Sequence, residues 1–167
     1  MNKHYDRYLT KKYAPLYRDR YGDMRTTAMC WGFDVGDGWF NIINTLSLLL
    51  CADWVWAKDD YNRLKELEGQ REFGDWDVEY NKIVTPEMVE KARLKMLEEE
   101  TKVPVAIQVK EKFGTLRFYT AGATDVHQAF IDYATILSAY TCEICGHKGK
   151  LNKGGWLSVR CKEHEDY

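Results

Sequence analysis

Cys142, Cys145, Cys161 and His164 are spaced Cys-x2-Cys, fifteen residues, Cys-x2-His, and no other feature constrains the fold of this chain as tightly. Each x2 pair lets a tight knuckle aim two soft ligands at one point, and the intervening segment brings the second pair back to the first, which is the spacing of a closed tetrahedral zinc site. Gly146 directly follows the first pair, where a positive φ is expected. Between the pairs, Gly149 to Leu151 and Trp156 to Arg160 read as two short strands turned by Gly154 and Gly155, and the whole reads as a zinc ribbon. The plainer reading, ordinary buried thiols, needs two such pairs to arise by chance. A disulfide framework fits less well, because Cys30 and Cys51 fall outside the quartet with no pairing pattern of their own. Four protein ligands fill the tetrahedron, so the Zn2+ is expected to be structural and to leave no open position for substrate. A deaminase-type zinc centre would need a His-x-Glu sequence, and none is present.

The 167 residues suffice for one core of ordinary size, and a hydrophobic content of 45% places the chain among globular proteins. Two units are expected, a helical α+β body over residues 1–137 and the Cys3His ribbon over 138–167, docked on the body because a module that small rarely supplies its own core. Trp156 and Leu157 are the apolar residues expected to bury there. Met1 to Tyr13 is too charged for a secretory leader, so a cytoplasmic location is expected, in keeping with reduced thiols. Trp39 to Ala57 has the length of a membrane span, yet Asn41, Asn44, Thr45, Ser47 and Asp53 interrupt it, and a core helix is the expected outcome. The net charge is −2. An acidic middle lies between basic ends, with sixteen Asp/Glu against eight Lys/Arg over residues 31–100. That balance argues against a protein that coats long nucleic acid, while leaving room for a local cationic pocket.

Along the chain, Tyr5, Tyr8, Leu9, Tyr13, Leu16 and Tyr17 mark an amphipathic helix interrupted or restarted near Pro15, its tyrosines read as packing residues. CWGFDVGDGW, Cys30 to Trp39, reads as a turn-rich surface entry to a helix, with Asp37 capping the first turn. Apolar residues then recur at steps of three and four from Trp39 to Leu67, predicting one long buried helix bent near Asp53. Gly69 to Val84 reads as a loop. Thr85-Pro86 starts a helix whose Met88, Val89, Ala92, Met96 and Leu97 face inward. Val105, Ile107 and Val109, then Leu116 and Phe118, alternate as two strands of an antiparallel hairpin turned near Phe113 and Gly114. Thr124 caps a last helix packed through Val126, Phe130, Tyr133, Ala134, Leu137 and Tyr140. The fold class is therefore α+β, with helices on a small antiparallel hairpin or sheet.

The segment Val109 to Tyr119, VKEKFGTLRFY, supplies the candidate ligand-binding residues Lys110, Lys112, Phe113, Arg117 and Tyr119. Cations beside aromatic faces suit a phosphate and a base. Alternation puts Lys110 and Lys112 on one side, opposite Val109 and Glu111, with Arg117 joining them if the register allows. The plainer reading is a solvated charged face over packed aromatics. Asp34 and Asp37 are a carboxylate pair for Mg2+ or general base work, though capping is the commoner use of such residues and no third ligand is evident. His127 reads as a surface or packing residue, and His147 sits awkwardly close to Cys145 to replace His164 as a ligand.

Taken together, GDGW at Gly36 to Trp39, VKEKFGTLRFY at Val109 to Tyr119 and SAYTCEICGHKGKL…GWLSVRCKEH at Ser138 to His164 resemble a family of small proteins encoded by tailed bacteriophages and prophages. The motifs cover roughly a third of the chain, whereas the basic N-terminal helix and Gly69 to Glu100 are less typical of that family. The resemblance implies a non-catalytic zinc-binding accessory protein in the host cytoplasm, which binds a host protein or a nucleotide-like anionic ligand and counters host defence. Two other classes stand beside it: a nucleic-acid-binding zinc-ribbon module, and a metal-dependent nuclease or nucleotide hydrolase built on Asp34 and Asp37. No membrane partner is expected.

Overall fold

A computed structural model of the chain describes residues 1–70, 83–152, 155 and 157–165. The fold is α+β, and its contacts divide into two compact units, Met1–Cys51 with Val103–Tyr167, and Ala52–Lys102. The ribbon thus belongs to the first unit with most of the body, and the boundary falls at either end of an inserted helical segment rather than at 137/138. No single helix among the described residues is long and apolar enough to cross a membrane.

The first unit begins with α1 (Lys3–Lys12), whose first turn is capped by the Asn2 side chain, accepting from the N–H groups of His4 and Tyr5 at 2.9 and 3.0 Å. The helix ends at Tyr13, and the chain continues through turns instead of restarting after Pro15. Of the four tyrosines, Tyr13 and Tyr17 beyond the helix are buried while Tyr8 is exposed; the Tyr13 hydroxyl donates to Asn44 Oδ1 at 3.0 Å, and the Tyr17 hydroxyl lies 2.6 Å from Ser47 Oγ. Both partners lie on α2 (Phe40–Leu50), and burial pushes the Tyr17 phenol well above its ordinary range. Arg20 then clamps the return of the chain. Its Nε and Nη2 meet the two oxygens of Asp6 at 3.0 and 2.7 Å, and its Nη1 donates to Cys30 O at 2.8 Å.

The three-stranded sheet has the order β1-β2-β3. β2 (Val105–Lys112) and β3 (Thr115–Ala121) form the expected antiparallel hairpin. β1 (Phe33–Asp34) adds a short parallel edge, pairing Phe33 with Val109 and Asp34 with Lys110. Two residues carry no periodic signal, which is why the sequence does not announce this strand. The alternation expected for Val105, Ile107 and Val109 fails for a definite reason: a bulge between Ala106 and Gln108 shifts the register. Ala106 and Val109 are therefore buried, and Ile107 is turned outward.

The last helix, α5 (Asp125–Ser138), starts at the expected Thr124 with a reciprocal capping box: Thr124 Oγ1 accepts the His127 N–H, and His127 Nδ1 accepts the Thr124 N–H. Its buried face matches the expected one only at Ala134. Ile131, Ala134 and Ser138 point inward, while Val126, Tyr133 and Tyr140 are each at least 60% exposed. Small residues at 134 and 138 let the helix run close beside β3, where Ser138 Oγ accepts the otherwise free Leu116 N–H at 2.8 Å.

The predicted long helix is two helices, because α2 ends at Cys51 and α3 (Ala52–Glu66) starts a new one. In the second unit α3 packs against α4 (Pro86–Lys102) through Leu64, Val84 and Ala92, with Tyr61, Leu67, Met88 and Val89 around them. Thr85 caps α4 as expected, and Leu97 is exposed instead of inward. The expected loop at 69–84 lies mostly outside the described residues. Its ends meet at a bridge between Glu68 and Val84.

Candidate functional site

The four predicted ligands converge. Among the described residues, Cys142 Sγ, Cys145 Sγ, Cys161 Sγ and a ring nitrogen of His164 all lie within 4.8 Å of one another, forming a group that fits a metal ion. Cys145 and Cys161 Sγ are 3.6 Å apart, and His164 Nδ1 is 3.7 Å from Cys142 Sγ and 3.2 Å from Cys161 Sγ. Tetrahedral metal–ligand bonds of about 2.0–2.3 Å set such atoms roughly 3.5–3.8 Å apart, so the donor set matches a tetrahedral cation. The first knuckle closes with Gly146 N–H donating to Cys142 O at 2.8 Å, and Gly146 takes the expected positive φ, +80°. His164 arrives on a one-turn 3-10 helix, Lys162–His164. β4 (Lys150–Asn152) and β5 (Ser158–Arg160) pair antiparallel as predicted, although their tip at Gly154 and Trp156 lies outside the described residues. Burial pushes the Cys142 thiol up. N–H groups of Cys145, Cys161 and Ile144 directed at its sulfur outweigh this and hold it at about 6, in the thiolate form that a metal needs.

The GDGW segment is the seat of this knuckle. Gly38 N–H donates to Glu143 O and Gly36 N–H to Glu143 Oε1, both at 2.8 Å, and the Trp39 indole donates to Thr141 O at 2.8 Å. A Cβ on Gly38 would stand 2.3 Å from Cys142 O, and one on Gly36 would stand 2.2 Å from Glu143 O, so both glycines are required by close backbone approach. Trp39 is fully buried, which corrects the reading of this segment as a surface turn. Asp37 is also not a helix cap. Its Oδ1 accepts the Asn2 backbone N–H and its Oδ2 the Asn2 amide, both at 2.7 Å, tying the start of α1 to the seat. Both Asp37 oxygens are thus taken up by Asn2, which leaves Asp34 as the member of the expected carboxylate pair without such a bond among the described residues.

The register brings Arg117 directly across from Lys110, and Glu111 lines the same cleft as Lys110 and Lys112 instead of facing away. Lys110 Nζ lies 5.7 Å from the Tyr119 ring centroid. Lys112 Nζ lies 5.3 Å from that of Phe113. At the turn, Phe113 and Gly114 have φ of +56° and +78°. Two consecutive positive φ values in a two-residue loop favour Asn-Gly, and a side chain as bulky as Phe costs about 1–2 kcal/mol there. Phe113 is nevertheless 64% exposed, so burial does not offset that cost. A Cβ on Gly114 would meet Leu151 Cδ1 at 2.5 Å, which shows how closely the turn lies against β4.

Between the hairpin tip and the ribbon lies a cleft of about 800 Å³, lined by Asp34, Lys110, Glu111, Lys112, Phe113, Glu143, Leu157 and Arg160 among others. The structure thus brings Lys110, Lys112 and Phe113 of the predicted set into one cavity. Arg117 and Tyr119 are not part of its lining, and the Arg117 guanidinium folds back onto Thr115 Oγ1 and Leu116 O. Arg160 and Glu143 are cleft residues that sequence reasoning missed. They form an ion pair at 3.3 Å, and Arg160 Nε is buried without a partner. Only the register β4–β5 and the seating on GDGW carry them to the hairpin, so no local signal could have revealed them.

No family model matches the chain, and no curated protein or solved structure matches it.

Proposed function

We propose that this protein is a non-catalytic, zinc-binding accessory protein that binds an anionic, nucleotide-like group of a host component in the cleft between hairpin and ribbon. Zinc is the metal that three thiolates and one imidazole in a closed tetrahedron suit best, and its role is to hold the ribbon wall of the cleft. The observation that carries the binding reading is the state of the lining charges. Glu143 is engaged by Gly36 and Arg160, and Glu111 accepts the Gly114 N–H at 2.6 Å. Lys110 and Lys112 stand over aromatic rings without an ion-pair partner among the described residues. A cavity of this size is in the range of small-molecule sites and too confined for a long strand. The phage resemblance suggests where the ligand comes from, a host pathway that the protein counters by sequestration. The test is calorimetric titration with ADP and with GDP of the wild type and of the Lys110→Glu/Lys112→Glu variant. Binding that is lost in the variant while its metal content and melting temperature hold supports the reading, and equal affinity in both contradicts it.

A further inference from the structure

The cleft contains two features that anion binding leaves unused. The first is Asp34. Of the three carboxylates in the lining, it alone makes no hydrogen bond or ion pair among the described residues, and it sits on the outer edge of the sheet directly beside Lys110. The second is Phe113, a large aromatic held in left-handed backbone at a hairpin tip and left mostly exposed. A residue that breaks the local turn rule without gaining burial points to a role outside folding.

We propose that the cleft selects guanine nucleotides, with Phe113 stacking on the base, Asp34 accepting from its pairing edge, and Lys110 and Lys112 facing the phosphates. This rests on the anion-binding reading above and specifies its ligand. A free carboxylate offers two acceptors side by side, and guanine alone among the common bases presents two adjacent donors, N1–H and N2–H, to meet them. Adenine would set its N1 acceptor against the carboxylate, an unpaired and repulsive contact, which is how a polar site rejects the wrong partner. Base stacking on an exposed aromatic supplies affinity that any base can use, so Phe113 provides binding and Asp34 the choice. Both residues flank the cations from the body side, and the ribbon closes the other side through Leu157 and Arg160.

The experiment is titration of the full-length, metal-loaded protein with GDP and with ADP, in the wild type and in Asp34→Asn and Phe113→Asn. The expected result is GDP bound at least about tenfold more tightly than ADP, a preference that Asp34→Asn removes by bringing GDP down to the affinity of ADP. Phe113→Asn is expected to weaken both nucleotides while its melting temperature stays at or above that of the wild type, since Asn suits the turn better. A wild-type preference below tenfold, or one that survives Asp34→Asn, overturns guanine selection but leaves anion binding standing. A lowered melting temperature in Phe113→Asn assigns that ring to folding and removes it from the site. Failure of both nucleotides to bind overturns this proposal together with the binding reading beneath it.

Discussion

At the scale of single residues, the sequence motifs turned out to describe contacts more than chemistry. Gly36-Asp37-Gly38-Trp39 looks like a helix entry, yet three of its residues serve the docking of a knuckle more than a hundred residues away, the glycines admitting its backbone and Trp39 bonding to Thr141 O, while Asp37 fastens Asn2. Gly38→Ala tests this directly. Its Cβ would meet backbone atoms of Cys142, Glu143 and Gly146 at 2.3 to 2.7 Å, which cannot rotate away. Overpacking of this kind costs about 1–3 kcal/mol, and urea unfolding followed by tryptophan fluorescence is expected to show a loss in that range. A loss below about 0.5 kcal/mol, the usual limit for a surface substitution, would mean that the knuckle is not seated there. The four metal ligands were legible because their spacing is itself the geometric requirement. Asp37 was misread because a short acidic side chain before a helix has a default role, and its actual partner, Asn2, is distant in sequence.

At the scale of elements, the sequence revealed which segments were helices and strands better than which faces they bury. The hairpin, the Thr85 and Thr124 caps and the ribbon strands follow from alternation, capping residues and turn glycines, all local signals. The bulge at Ala106/Gln108 and the orientation of α5 do not, and the expected bend near Asp53 is a full break at Cys51. α5 meets the Leu116 N–H on the edge of β3, which Ser138 satisfies and which no other described group bonds. Ser138→Ala keeps the volume nearly constant but leaves this buried donor without a partner. The expected cost is about 1–3 kcal/mol in equilibrium unfolding, with metal content unchanged. A variant as stable as the wild type would show that the buried Ile131 and Ala134, and not the polar contact, govern how the helix sits.

At the scale of the whole molecule, the first unit is organised around a ribbon whose Cys3His cluster fits a metal ion and which is built into the body instead of hanging from it. Its knuckle rests on GDGW and its first strand on the hairpin turn, and together these surfaces enclose the cleft. The sequence could identify the ribbon and the basic hairpin separately. Their meeting depends on the parallel pairing of β1 with β2, which carries GDGW and Asp34 to the side of Lys110. Because thiolate coordination couples metal binding to folding, removing the metal is expected to loosen the ribbon and with it one wall of the cleft. The ribbon and the cleft wall therefore depend most on the quartet. Native mass spectrometry of freshly purified, reduced protein is the most direct measurement of it. One zinc ion per chain in the wild type, lost in Cys145→Ser, is the predicted result, and a wild-type chain that carries no metal would contradict the account at its centre.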